Sequence, residues 1–144
     1  MLRQLPMALV AGLRVVSISD EQAAVTIPYK YVNKNPFRSI YFASLSMAAE
    51  LSTGLLAMMH SYQSEPGISM LLVHLEGGFT KKATGKIIFT CTDGEAIKET
   101  IERARATAEG HTFTATSTGV DAQGDQVAEF KFTWSFKARS RKQA

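Results

Sequence analysis

The chain has 144 residues, 45% of them hydrophobic and 20% charged, with a formal net charge of +3, a length that suits one globular domain with a real core and leaves little room for two. So small a positive excess excludes the concentrated basic face that phosphate recognition needs. Four prolines against ten glycines give no low-complexity signal, and the single Cys91 cannot form an intrachain disulfide and reads as a small buried hydrophobe in a reducing compartment.

Part of the charge sits at the end, where Lys137, Arg139, Arg141 and Lys142 cluster. Residues 139–144 therefore read as a basic tail following one domain over 1–138. The stretch Met1 to Gly12 carries one basic residue and a short apolar run that Pro6 interrupts, with no small-residue cleavage site after it. The expectation is a cytoplasmic protein without a signal peptide. Leu13–Ser19 and Ala23–Tyr29 are rich in Val and Ile around Asp20-Glu21, so they read as a hairpin. Tyr31 to Arg38, polar and containing Asn33, Asn35 and Pro36, reads as a loop.

From Ser39 to His60 the only charge is Glu50, in a run dominated by Leu, Met, Ala and Ser. This predicts a long helix that is apolar nearly all round, which is either sheathed by protein or spans a membrane. Ser44, Ser46, Glu50, Ser52 and Thr53 near its middle would be costly in hydrocarbon, so a buried helix is expected and no membrane partner.

Glu65-Pro-Gly67 breaks the chain. Ile68–Leu75 and Lys86–Cys91 then read as strands, with Gly77-Gly78 as a bulge or bend between them. Thr92-Asp-Gly-Glu95 resembles a capping box opening a second helix, with Ile97, Ile101, Ala104 and Ala108 on one stripe and Gly110 as its C-terminal cap. Phe130, Phe132, Trp134 and Phe136 alternate with polar residues, the pattern of a half-buried strand, and pair with His111–Val120 across a Gln123-Gly124-Asp125 turn. The order is two strands, a long helix, two strands, a short helix and two strands. A sheet of about six antiparallel strands that curls around the apolar helix satisfies it, with a face or edge left for a symmetric partner.

That order, with a sheathed central helix, resembles the hotdog superfamily, an α+β fold, and in particular the small acyl-CoA thioesterases related to phenylacetate-degradation proteins. The closest marks are the junction Asn35-Pro-Phe-Arg-Ser-Ile-Tyr41-Phe-Ala43, the helix carboxylate Glu50 and the strand entry Phe79-Thr-Lys-Lys-Ala-Thr-Gly85. Enzymes of the family carry an Asn, six residues on a His-Gly-Gly, and nine residues beyond that His an acid within the helix. Asn35, Tyr41 and Glu50 keep both spacings, with Tyr41-Phe42-Ala43 in place of His-Gly-Gly. The resemblance implies hydrolysis of an acyl thioester at a subunit interface of a homodimer or dimer of dimers. In it Glu50 is the catalytic carboxylate, with Asn35 and Tyr41 beside it, and the amides of Phe42 or Ala43 polarise the carbonyl. Phe79 helps enclose the substrate, and Lys81 and Lys82 stand where coenzyme A phosphates would be met.

Independently of the family, a lone carboxylate midway along a buried helix must be hydrogen-bonded, neutralised or open to a cleft. Small neighbours such as Ala43, Ser46 and Gly54, beside Met47, allow a strand or a narrow substrate to approach it. A structural Glu held by a backbone N–H or a Ser is the competing reading. The functional one makes Glu50 a general base or a nucleophile, with a pKa raised by desolvation. Met47, Met58, Met59 and Met70 suit either core packing or an acyl tunnel. His60, His74 and His111 find no second ligand at metal spacing, and no Gly-rich phosphate loop or nucleophile elbow is present, so neither metal nor cofactor is expected beyond coenzyme A as part of the substrate. Besides hydrolysis, the fold leaves open a non-catalytic acyl or aromatic ligand binder and a structural dimerisation module.

Overall fold

A computed structural model describes residues 4–62 and 66–139. Glu65 of the chain break, and Arg141 and Lys142 of the basic tail, lie outside the described residues. The elements run α1 (Pro6–Ala11), β1 (Arg14–Ile18), β2 (Ala23–Ile27), a 3-10 turn at Tyr31–Asn33, α2 (Phe42–Ser61), β3 (Ile68–Phe79), β4 (Ile87–Cys91), α3 (Gly94–Thr107), β5 (His111–Val120) and β6 (Gln126–Ala138). The six strands form one antiparallel sheet in the order β1-β2-β4-β5-β6-β3. This is the hotdog architecture: a curled sheet holding one long helix. β1 and β3 are its two free edges.

α2 is 20 residues long and apolar enough to pass for a membrane span, yet it is the core helix of the sheet. Residues Leu51 through Ala57 are all buried, because α2 packs against β2, β4, β5 and β6, whose buried side chains share one core with it. Phe89, Phe130, Phe132 and Phe136 are fully buried, each withdrawing enough apolar area to contribute about 2–3 kcal/mol. Polar groups at this contact are paired as burial demands. The Trp134 indole N–H donates to Thr53 Oγ1 at 2.9 Å, and Ser52 and Ser117 share a hydroxyl contact of 2.7 Å. These bonds fix the rotation of α2 against β5 and β6, and hence the direction in which Glu50 projects.

Four details differ from the expectations. The apolar run before Gly12 is a helix: Pro6 stands in its first turn, where no N–H is needed, and Gly12 takes the left-handed conformation (φ 79°) that ends it. The buried Asn33 amide donates to the Ala11 carbonyl at 2.8 Å and to that of Pro28 at 3.0 Å, docking α1 on the fold. Gly77 and Gly78 lie inside β3 and pair with Phe130 and Glu129. At Gly77 the reason is close approach, since a Cβ there would come within 2.5 Å of the Phe130 ring. The irregularity falls instead between Leu72 and His74, so Met70 and Leu72 share one face of the strand and His74 sits on the other. α3 opens on Asp93 without a side-chain cap. The Asp93 carboxylate accepts the Thr116 N–H at 2.8 Å instead, and the left-handed terminal residue is Ala108, not Gly110.

Candidate functional site

Asn35 builds the loop that leads into α2. Its side-chain oxygen accepts the N–H groups of Phe37 (2.9 Å) and Ser39 (3.2 Å) and the Ser39 hydroxyl (3.1 Å), while its amide reaches the Ile40 carbonyl at 3.4 Å. The turn is tight enough to hold Arg38 at φ 61°, a strained backbone for a residue with a Cβ. Asn35 thus sets the geometry of the junction. The Tyr41 N–H donates to the Asn33 carbonyl and the Ile40 N–H to Ala83, which binds the junction to the strand-entry segment.

α2 then begins without a side-chain cap, on Tyr41 in extended backbone. A helix leaves its first amides without intrahelical partners, and Ser, Asp or Asn usually supplies one. Here the Ser44 and Leu45 amides turn back to the Tyr41 carbonyl, and those of Phe42 and Ala43 remain as donors on the positive end of the helix. Phe42, which Ala43 follows in the chain, lines a cavity of about 600 Å³ together with Asn35, Tyr41, Phe79, Lys81 and Lys82 among others. Tyr41 and Phe42 meet edge to face at 5.0 Å at its mouth. Pro36, Phe37 and Ile40 of the junction motif and Ala83 of the strand-entry motif also line it, as does Leu45, which no sequence pattern singled out.

The two lysines differ. Lys81 Nζ is 2.6 Å from Asp121 and 2.8 Å from Asp125, bonds that raise its pKa and lower that of Asp121. It serves the β5–β6 turn as much as the cavity. Lys82 has no carboxylate partner among the described residues and donates only to the Phe37 carbonyl at 3.5 Å.

Glu50 is elsewhere. Together with Met47 and Leu51 it lines a cavity of about 160 Å³ whose other wall is α1 and its flanks, Gln4 through Ala8 and Leu13. This wall went unseen in the sequence because six helical residues around a proline have too little periodicity to register. Burial pushes the Glu50 carboxyl above its ordinary 4.5, and no charge or hydrogen bond opposes the shift. Gly54, one turn on, lets the carboxylate lie close to the helix surface: a Cβ there would be 3.4 Å from Glu50 Oε1 and 3.5 Å from the Trp134 ring. Cys91 is no nucleophile in this setting, since burial pushes its thiol up to about 12.

Of the residues singled out, the junction, Phe79 and both lysines come together around one cavity, Glu50 and Met47 around another. Gly54 supports the second, and Ala43 lines neither. Eight residues of helix separate Phe42 from Glu50, roughly 12 Å along the axis. Among the described residues, no group of three His, Cys, Asp or Glu side chains lies close enough to hold a metal ion.

A curled six-stranded antiparallel sheet wrapped on one long helix defines a hotdog-fold protein. The chain belongs to the family described as Domain of unknown function (DUF4442), whose model matches residues 1–136. Among solved structures it superposes on PA5026 of Pseudomonas aeruginosa, a protein of unknown function termed a probable thioesterase. The TM-score is 0.82 at 22% identity, over 94% of this chain and 89% of that one. It also superposes on the thioesterase HI1161 of Haemophilus influenzae (TM-score 0.69, 13% identity, 95% and 88% covered). The PaaI protein of the E. coli phenylacetic acid degradation operon matches as well (TM-score 0.65, 16% identity, 94% and 85% covered). At these identities the likeness establishes the fold. No curated protein matches the chain by sequence.

Proposed function

We propose that the protein hydrolyses an acyl thioester, with acyl-CoA as the substrate class, at a site completed by two copies of the chain. The observation that carries the reading is the Glu50 carboxyl, half-buried and with no cation or hydrogen-bond donor beside it among the described residues. Such a group is costly to keep unless it does chemistry there, and desolvation raises its pKa, which makes its carboxylate a stronger base. A catalytic base or nucleophile and an oxyanion donor must both come within about 3 Å of one carbonyl group. The ~12 Å between Glu50 and the free amides of Phe42 and Ala43 along the helix prevents one chain from supplying both. The amides of one protomer therefore face Glu50 of its partner.

β3 supports such pairing. It is an edge strand, and Leu71, Val73 and Leu75 are 65%, 50% and 49% exposed, an apolar unpaired edge that a single soluble chain does not keep bare. In the resulting site the amides of Phe42 and Ala43 hold the thioester oxygen as it gains charge. Glu50 activates water or attacks the carbonyl carbon, and the thiolate of coenzyme A leaves toward the Lys82 side of the larger cavity.

A second reading, a non-catalytic acyl or aromatic ligand binder, is favoured by the Tyr41–Phe42 pair at the mouth of that cavity, which offers ring faces where family enzymes have imidazole and glycine. The deciding test is thiol release from acyl-CoAs by the native chain and by Glu50→Gln. Turnover lost in the variant, with its thermal transition retained, is expected. Equal turnover in both removes Glu50 from the mechanism, and saturable binding without release in either favours the binder.

A further inference from the structure

The curled sheet does not close around α2, and its two edges come near each other at the C-terminal end of the helix. There Ile18 at the end of β1 and Ile68 at the start of β3 line the same groove, about 730 Å³ in volume, with Leu55, Met58, Met59 and Tyr62 of α2 as its floor. The groove shares Gln4 with the Glu50 cavity. Met47, Leu51, Leu55 and Met58 follow at intervals of three or four and form one stripe along α2, with Glu50 three residues after Met47 at its edge. The stripe is buried at Leu51 and Leu55 but 39% exposed at Met58. The catalytic carboxyl and the open groove thus lie on a single face of the helix, one behind the other.

Resting on the thioesterase reading, we infer that this groove is the binding site for the aliphatic tail of the acyl group, and that Met58 sets the chain length the protein accepts. The Glu50 cavity is too small to hold a long chain by itself. At roughly 30 Å³ for a water-sized heavy atom, its 160 Å³ takes about five atoms, the thioester and a few carbons. From Glu50 to Met58 is about 12 Å along the helix, and to Tyr62 about 18 Å. An extended chain advances ~1.2 Å per bond, as peptide backbone does, so a saturated acyl group of about ten carbons reaches Met58, and one of about fifteen reaches Tyr62. The lining suits this occupant. Ile18, Leu55, Met58, Met59 and Ile68 make most of it apolar, with Gln4, Ser61 and Arg139 among them, and the two methionines give it the adaptable surface that a flexible chain requires. Beyond them the Arg139 N–H, donated to the Gly67 carbonyl at 2.7 Å, joins the segments that close the far end.

The test compares butyryl-CoA with dodecanoyl-CoA in the native chain, in Met58→Trp and in Met58→Ala, read both as kcat/KM for thiol release and as the dissociation constant of each acyl-CoA under Glu50→Gln. The native chain should favour dodecanoyl over butyryl at least tenfold in both readouts. Met58→Trp should abolish that ratio by filling the groove, whereas Met58→Ala should preserve it. If no substrate is turned over but the binding ratio behaves in this way, hydrolysis is wrong and the groove is right. If release occurs with a dodecanoyl-to-butyryl ratio that Met58→Trp leaves unchanged, the groove inference is overturned and the thioesterase stands. If Met58→Trp instead weakens self-association in sedimentation without altering either ratio, a second copy of the chain covers the groove, and the inference is again overturned.

Discussion

Phe42→Pro isolates the oxyanion donor with little harm to the fold. Phe42 is the first helical residue of α2, and Tyr41 before it has φ −60° and ψ 134°, within the extended region that a proline requires of its predecessor. Proline is favoured at that helical position, since the N–H it lacks is one the helix does not use. The substitution therefore removes one donor from the cavity and leaves the helical ladder intact. Loss of a single oxyanion donor elsewhere costs about 10²–10³ in kcat, or roughly 3–4 kcal/mol of transition-state stabilisation. Because the ring is lost too, Phe42→Ala is the proper reference. The Phe42 side chain is 57% exposed, so the alanine variant should keep the native melting temperature within a few degrees. The assay is kcat and KM for thiol release by both variants, with a thermal melt of each. Proline should lower kcat about a hundredfold below alanine with little change in KM. Rates within threefold of one another, with both variants folded, would refute the assignment of these amides as the oxyanion site.

The remaining predictions concern Glu50 and its support. Burial raises its folded pKa above the unfolded 4.5, so between those two values the native state holds the proton more often than the unfolded state. The chain accordingly loses stability as pH rises through that window, by about 1.4 kcal/mol for every tenfold by which folding tightens the carboxyl's hold on its proton. Glu50→Gln should show no such loss, so its advantage in urea denaturation should be absent at pH 4 and present at pH 8; a variant less stable than the native chain at pH 8 would contradict this. Gly54→Ala should stabilise the helix by about 0.5–1 kcal/mol, since the new methyl group would stand 3.4 and 3.5 Å from its nearest neighbours, ordinary contact distances. At ~2 cal/mol/K per residue of unfolding entropy this is a rise of about 2–3 °C in Tm. The same methyl group excludes water from the carboxylate, so the acid limb of the rate profile should move to higher pH; a fall in Tm, or an unmoved limb, would show that Gly54 does not support Glu50 in this way.

Much of this architecture was legible because period and composition agree. The alternation of Phe130, Phe132, Trp134 and Phe136 named a strand and its buried face, and a 20-residue apolar helix could not stand on a wet surface. Glu50 stood out for the same reason, one charge in an apolar run. What escaped were features set by tertiary contact. Gly77 and Gly78 look like a bend in one dimension, and only the Phe130 ring opposite explains Gly77 within a strand. The reversal at His74 follows from a register shift that leaves no trace in local propensity. Lys81 and Lys82 are adjacent and chemically alike, and they part company because Asp121 and Asp125, 40 and 44 positions on, fold back onto the first alone.

The openness of the sheet joins these observations. Six strands at about 4.8 Å spacing span roughly 29 Å, whereas a cylinder drawn about 10 Å from a helix axis measures about 63 Å around. The sheet can therefore cover about half of α2, and the other half needs different cover. α3 packs on part of it through Ile97, Ile101 and Ala104, all fully buried, and α1 roofs the part that holds Glu50. The stripe beyond Leu55 has no such cover, and the N-terminal turn with its free amides opens onto the 600 Å³ cavity. The part of the helix left uncovered is costly in an isolated chain, and the proposed site recovers that cost by placing substrate and a second protomer where the sheet ends. On this argument the substitution of Tyr41-Phe42-Ala43 for His-Gly-Gly changes access more than chemistry. Backbone amides survive any side chain except proline, while the exposed rings of Tyr41 and Phe42 narrow the approach to them.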